Sequence, residues 1–504
     1  MGEVTKEQKY GYTELGEQMF PGEAVDEITW NDLDMDDLYL RINTCHSFAG
    51  EQVLFARMHR LAGTEELQIL EEKIGYAGEN KEEAKRIGKI LYRIGKEEGS
   101  YFLPVFLNNL DVFSIEHVWF YRLMRALLAL SLVPALVFQE KGLLYIPVAV
   151  FGVNLLIYLA QKYRYELNLN TLEGALRLIK AAVRLTDSGK FAYEERFQDL
   201  KEHADCFRPL ARMIGRVQNR RMASASGTLE GLLYDYFFGA LLLDFIRYDK
   251  IIKQLKQHRE TFLCLYRRIG ELDMALAAAK YRESLPRYCT PRFAEQKGVM
   301  MEELCHPLIE NAVANSLNLT DSCMVTGSNA SGKSTFIKAV ALNAILAQTL
   351  HTCTAGRFEM CCAKVVTSMA VRDDLAAGES YYVREVKYLA RIVKGLSDKV
   401  WTLCVIDEIL RGTNTRERVA ASAAVLRYLE KRNCLAVVAT HDQELLDMLE
   451  TGYMNYHFTE HMEDGKITFD YKIHPGPANS QNAIRLLECM GFPEEITREA
   501  RLRA

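Results

Sequence analysis

A chain of 504 residues is long enough for two to four domains, and it can bury a sizeable core without disulfide or metal staples. Its formal charge of −5 excludes a general electrostatic pull toward nucleic acid, so any DNA contact has to come from a local basic stripe. Twelve cysteines are scattered without a C-x-x-C pair, the adjacent Cys361 and Cys362 cannot form a normal framework bridge, and the set reads as reduced thiols of a cytosolic protein.

In chain order, Met1 to Gln18 is polar and offers no apolar stretch for a cleavable signal peptide, and Lys6 breaks the myristoylation pattern. From Thr29 to about Phe113 the chain reads as helical. Asn31 or Asp32 can cap, and Leu38, Ile42, Val53, Leu54 and Met58 fall at helical spacings. Spacing alone gives this region a scaffold role and no chemistry.

Composition then changes sharply. Ala126 to Phe138 and Gly142 to Ala160 are uncharged, mostly apolar runs separated only by Gln139, Glu140 and Lys141. The second run is long enough to cross a hydrocarbon core of about 30 Å at about 1.5 Å per residue. The first reaches that length if it extends back to Val118, with Arg122 and Arg125 snorkelling beside Trp119 and Tyr121. Cations flank the outer ends of the pair, Arg122 and Arg125 before it and Lys162 and Arg164 after it, so both ends face the cytoplasm in a two-span hairpin. The alternative is a helical hairpin buried in a soluble core, with which Pro134, Pro147 and Asn154 agree. The length without charge favours the membrane.

Beyond the hairpin, Leu172, Ala175, Leu176, Ile179 and Val183 form an amphipathic stripe, and more helices follow to about Glu283. Arg208, Arg212, Arg216 and Arg220 share one face if Pro209 opens a helix. That face could follow phosphates, be ion-paired or solvated, or lean on anionic lipid. Leu232 to Ile246 is apolar, but Asp235 and Asp244 make it a core helix rather than a third span. From about Met301 short apolar runs, Cys323 to Thr326, Trp401 to Ile406 and Leu435 to Ala439, alternate with helical stretches, the pattern of a mostly parallel α/β sheet.

The chemistry concentrates in that last region. Gly327-Ser328-Asn329-Ala330-Ser331-Gly332-Lys333-Ser334 fits G-x-x-x-x-G-K-[ST], follows a strand and precedes the helical Thr335 to Leu350. Glycines let backbone amides curl round phosphates, Lys333 neutralises the β and γ phosphates of ATP, and the Ser334 hydroxyl suits Mg²⁺. Leu403 to Glu408 is an apolar strand ending in two acids, Asp407 to hold Mg²⁺ and Glu408 to polarise the attacking water. Leu435 to Ala439 leads to Thr440 and His441, which suits a γ-phosphate at the strand end, although Thr-His-Asp can also simply cap a helix.

Thr326 to Thr335, Asp407 to Thr413 and Ala439-Thr440-His441 together resemble the ATPase of the MutS family of DNA mismatch-repair proteins. His306-Pro307 and Asn315 to Leu319 resemble the segment before that family's P-loop, and Asn482 to Ala500 its C-terminal helical dimerisation element. Asp373 to Glu385 resembles the loop whose Ser, here Ser380, contacts the γ-phosphate held by the other subunit. The resemblance covers 301–504 and extends more loosely to the family's helical core and lever in 29–113 and 168–288. It implies a head-to-tail homodimer with two composite ATP sites, Lys333 and Glu408 in cis and Ser380 in trans, with His441 sensing the γ-phosphate. Two positions depart from the family pattern: Ser328 stands for a proline and Leu410 for a glycine. Before Thr29 there is no room for the N-terminal mismatch-reading domain, no Phe-x-Glu wedge lies there, and no nuclease domain is expected after the dimerisation element.

These readings predict a multidomain α plus α/β protein. A helical core region, 1–115, is followed by a transmembrane hairpin, 116–165, a helical core and lever region, 166–300, and an ABC-like P-loop ATPase domain, 301–504. The expected function is ATP-driven switching of DNA-bound states, with mismatched or branched DNA, a second copy, membrane lipid through 118–160, and repair or membrane proteins as partners. The expected place is the cell membrane, with the ATPase in the cytoplasm. The alternative is a membrane-associated ATPase switch acting on a protein without DNA.

Overall fold

The computed structural model describes residues 20–138, 140–187, 199–211, 236–328, 331–369, 381–411, 414–449, 452–463, 466–477 and 491–503. Its first part is helical: α1 (Glu27–Asp32), α2 (Met35–Ile42), α3 (Phe48–Met58), α4 (Thr64–Glu79), α5 (Lys81–Tyr92), α6 (Leu103–Asn108), α7 (Val118–Phe138), α8 (Tyr145–Asp187), α9 (Leu243–Gln257) and α10 (Arg259–Ser284). Helix α3 starts where Ser47 Oγ accepts the Gly50 N–H at 3.1 Å. It packs closely on α10, since a Cβ on Gly270 would lie 2.8 Å from the Ala49 carbonyl oxygen. At that crossing the buried Asp273 carboxylate accepts from Ser47 Oγ at 2.6 Å and from the Ser47 and His46 amides, so the buried charge is fully bonded.

The second part is α/β, with β1 (Arg292–Phe293), β2 (Val299–Leu304), β3 (Asn315–Leu319), β4 (Cys323–Thr326), α11 (Lys333–Leu350), β5 (Arg357–Met360), β6 (Lys364–Ser368), α12 (Tyr381–Gly395), β7 (Thr402–Asp407), α13 (Thr415–Glu430), β8 (Cys434–Ala439), α14 (Gln443–Met448), β9 (Met454–Glu463), β10 (Lys466–Pro475) and α15 (Glu494–Arg503). A six-stranded sheet runs β10-β9-β4-β8-β7-β6, parallel from β9 to β6 with β10 antiparallel at its edge. A four-stranded mixed sheet runs β1-β5-β2-β3. Burial accounts for the parallel sheet, because every residue of β4 and β7 is buried and such strands need cover on both faces. The sequence reading anticipates β4 to the residue and β7 and β8 to within one.

The helical part grips the α/β part at the end of α11. Arg57 Nε donates to the Thr349 carbonyl at 2.9 Å, and Arg282 of α10 donates to the His351 carbonyl at 2.9 Å. Both cations meet the negative end of the helix. Arg282 also forms a bidentate pair with Glu71, at 2.8 and 2.6 Å, and His351 Nδ1 lies 3.0 Å from the same carboxylate. Burial alone would raise the Glu71 carboxyl, but these partners outweigh it and draw it down to about 2. Farther along, Asp32 of α1 accepts from Thr367 Oγ1 at 2.7 Å and the Met369 amide at 3.0 Å, which ties α1 to the end of β6.

Helices α7 and α8 project their apolar residues outward. Among α7's residues only Val118, Tyr121 and Leu128 are buried, whereas Leu130 and Leu136 are 68% and 74% exposed, as is Leu156 of α8 at 68%. Both helices are long and apolar enough to cross a membrane. Helix α7 starts at Val118, as the extension to membrane length requires, and α8 does not stop near 165. It continues for 43 residues because Gln161 to Thr171 holds neither proline nor glycine, so the amphipathic stripe from Leu172 belongs to the same helix. Pro147 sits in its first turn, where its missing N–H costs no helical bond. Asn154 is fully buried between the two helices, its amide 3.5 Å from the Met124 carbonyl oxygen. The described part of Leu232 to Ile246 packs on this pair through Tyr121 and Phe245, 4.9 Å apart, and breaks at Leu242, whose φ is 53°.

Candidate functional site

The parallel strands β4, β8 and β7 end together, with Val325 and Asp407 both in register with Ala439. The Glu408 amide donates to the Ala439 carbonyl at 2.9 Å and the Thr440 amide to the Val325 carbonyl at 3.0 Å, which fixes the loops leaving the carboxyl ends. That edge is where open α/β sheets gather ligand-binding groups.

The loop from β4 to α11 turns through Gly327, φ 138°, and Gly332, φ 106°. A Cβ on Gly327 would lie 2.8 Å from the Phe458 carbonyl oxygen, so glycine is required there. Lys333 is buried at the first position of α11, and its Nζ donates to the Gly327 and Ser328 carbonyls at 2.6 and 2.7 Å. Burial lowers its proton affinity, while the Glu408 and Asp407 carboxylates pull the other way. Ser331 is buried, and its Oγ has no hydrogen-bond partner among the described residues. Ser334 and Thr335 are exposed in the first turn of α11.

Asp407 closes β7, buried, and its Oδ1 has no partner among the described residues. An unbonded buried carboxylate oxygen is costly, and a cation is the ligand that satisfies it. Glu408 follows in the left-handed region at φ 55°. Its carboxylate is clasped by Arg411 at 2.5 Å and by His441 Nδ1 at 2.8 Å. Leu410 has φ 58°, so the position where the family pattern has glycine is one that favours glycine. Asp442 takes Arg418 in a pair at 2.6 Å.

Lys333, Asp407, Glu408 and His441 thus come to one end of the sheet, with Gly327, Ser328, Ser331, Gly332, Ser334 and Thr335 around them. Asn329, Ala330, Ser380, Gly412 and Thr413 lie outside the described residues. Motif reading missed Arg411 as the partner of Glu408 and Glu460 of β9 as the acceptor for Ser328 Oγ. For Glu460 no local signal exists, because 132 residues separate the pair.

Beside the first turn of α11 opens a mainly apolar cleft of about 280 Å³, lined by His306, Gly332, Thr335, Phe336, Phe458 and Tyr471 among others. Burial pushes the His306 imidazole down to about 4, and its Nδ1 accepts the Leu308 amide at 3.2 Å, so it is neutral with its other nitrogen protonated. A wider opening of about 600 Å³ lies at the other pole of the sheet, around Trp401, Cys434 and Met454 where β7, β8 and β9 begin, away from these acids. Of the charged stripe that begins at Arg208, that residue is ion-paired with Asp187 and Asp205 at 2.5 and 2.6 Å, and Arg212, Arg216 and Arg220 lie outside the described residues.

The description MutS domain V matches residues 323–504. The DNA mismatch repair protein MutS of Thermus thermophilus is 31% identical over 276 residues, covering 51% of this chain and 33% of that protein. MutS of Lactobacillus delbrueckii subsp. bulgaricus is 30% identical over 271 residues, covering 51% of this chain and 31% of that protein. MutS of Chloroflexus aurantiacus is 27% identical over 286 residues, covering 54% and 29%. The chain spans about a third of the length of the curated relatives it matches.

Proposed function

Because this chain is a MutS-family protein through its C-terminal region, we propose that it hydrolyses ATP at the carboxyl edge of the β4-β8-β7 sheet and uses the cycle to switch DNA-bound states while tethered to a membrane. The observation that carries this reading is the convergence of Lys333, Asp407, Glu408 and His441, with the Asp407 oxygen buried and unbonded among the described residues.

In this reading the glycine loop, Gly327 to Thr335, holds the phosphates by backbone amides and the helix N-terminus. Lys333 is desolvated in advance, so its charge is strong toward phosphate oxygens once it leaves the two carbonyls. Asp407 and the Ser334 hydroxyl would hold Mg²⁺, which supplies charge neutralisation at the phosphates. Glu408 orients the attacking water, and His441 and Arg411 hold that carboxylate in position before γ-phosphate engages them. The apolar cleft by Phe336 and Tyr471 has the size and lining for the purine ring. Ser380 of the partner subunit completes each site in a homodimer.

The tether is the α7 and α8 pair, since exposed leucines over two helices of membrane length are satisfied by acyl chains and not by water. The ATPase then lies in the cytoplasm, at the cell membrane. DNA, mismatched or branched, is the partner of this reading.

Mixing Ser380→Ala with Lys333→Ala protein tests the composite site. Each variant alone is inactive, and the mixture recovers part of the turnover, because one of its two sites is whole. No recovery from a mixed dimer would count against trans contribution by Ser380. Flotation of the full chain with lipid vesicles, unaffected by high salt, tests the tether.

A further inference from the structure

A second concentration of charge lies in the helical part, away from the sheet. Helix α5 carries Lys85 and Lys89, and Arg93 caps its end, so three cations follow one another at four-residue spacing. The far part of α8 lays Lys180 and Arg184 beside them. Lys89, Arg93 and Arg184 are exposed and have no ion-pair partner among the described residues. Burial and then the neighbouring guanidiniums of Arg184 and Arg93 lower the proton affinity of Lys180, the mark of like charges held together. The nearby acids pair chiefly with other cations: Glu82 with Lys85 at 2.8 Å while also feeling the charge of Lys89, Glu83 with Arg86 at 2.5 Å, and Glu97 and Glu173 with Arg177 at 2.6 and 2.8 Å. On the α5 side of this face lies an open depression of about 530 Å³ lined by His46, Lys85, Gly88, Lys89, Tyr92 and Arg93, where Tyr92 stands 73% exposed.

We propose that this face, formed by Lys89 and Arg93 of α5 and Lys180 and Arg184 of α8, is a contact surface for the phosphate backbone of duplex DNA. The inference rests on the DNA-switching function proposed above and adds the place of contact. Cations set four residues apart on a helix repeat about every 6 Å. Such a row meets successive phosphates of a polyanion, whereas one free phosphate reaches at most a pair of them. Lipid headgroups are the wrong source. Lys180 lies 19 residues beyond Gln161, the end of the apolar part of α8, or about 28 Å along the helix, several times the screening length of about 8 Å. The Arg208 stripe is a poorer site, because the described member of it is already neutralised by two acids.

The test uses the full chain in detergent micelles and a fluorescent 30-base-pair homoduplex, titrated at a series of salt concentrations. The triple variant Lys89→Gln, Arg93→Gln, Arg184→Gln should bind at least tenfold more weakly at low salt. Its slope of log affinity against log salt should be shallower by about 2.7, three lost contacts at about 0.9 each. ATP turnover without DNA should match the wild type, which shows that the variant is folded, and Arg208→Gln should change the affinity less than twofold. Equal affinity and slope in wild type and triple variant would overturn this contact surface and leave the DNA function standing. A wild type that binds no duplex at low salt would remove the DNA function and this surface together. A triple variant that keeps duplex affinity but loses a preference of the wild type for anionic over neutral vesicles would assign the face to lipid and overturn the proposal.

Discussion

Helices α7 and α11 are both rich in apolar residues and end in opposite surroundings. Of α11, which starts at Lys333, nearly every side chain is buried between the sheet and the helical part, whereas α7 buries three residues of 21. Sequence apolarity alone does not separate these cases. What separates them is cover: α11 has β6, β7 and β8 on one side and α3 and α4 on the other, and α7 has chiefly α8 and α9. On the reading proposed above, a helix this bare is covered by acyl chains, and one this enclosed acts as a rigid strut between the glycine loop and the Arg57 and Arg282 grip.

The comparison is broken most forcefully by charge. Ile337→Arg places an unpaired cation in the closed interface of α11 and should abolish folding, seen as loss of soluble or detergent-stable protein. Leu130→Arg, near the middle of α7, should leave ATP binding intact and weaken membrane insertion by about 3 kcal/mol, measured by vesicle flotation. If both variants fold and float alike, the contrast in cover is wrong. Next in size, Lys333→Ala should weaken ATP binding about 100-fold, as expected for loss of a charged phosphate contact, in an equilibrium titration. Truncation sharpens the contrast further: Ile337→Ala should cost about 2–5 kcal/mol of stability and Leu136→Ala under about 0.5 kcal/mol in detergent melts.

An effect confined to acid pH concerns the grip at the far end of α11. The Glu71 carboxyl is lower in the folded chain, about 2, than its usual 4.5. Its contribution is therefore complete above about pH 4.5 and disappears as pH falls toward 2. Because the group is partly exposed, that contribution is discounted to at most about 2 kcal/mol. Glu71→Gln should flatten the stability curve across that acid window and leave its neutral limb parallel to the wild type.

Much of the α/β part was legible because its signals are local. An apolar run of Cys323 to Thr326, a glycine loop and a helical pattern adjoin in sequence, and the structure returns them as β4, the loop and α11. Asp407 and His441 could be placed at strand ends for the same reason. What stayed hidden depends on long separations: the Arg57 bond to Thr349 spans 292 residues, and the Asp32 anchor on Met369 spans 337. The continuity of α8 was hidden differently. Its residues change from outward-facing apolar to buried amphipathic within one helix, and a change of surroundings reads like a boundary when no residue breaks the backbone. The clasp of Arg411 and His441 on Glu408 was also invisible, since a motif names residues and not the bonds they make to one another.

The most direct measurement is Mg²⁺-dependent phosphate release from ATP by the full chain in lipid vesicles, wild type beside Glu408→Ala. The account predicts turnover in the wild type and a rate lower by about 100-fold or more in the variant, with ATP still bound, as removal of a positioned general base requires. Equal rates in the two proteins, or no turnover in either, would contradict it.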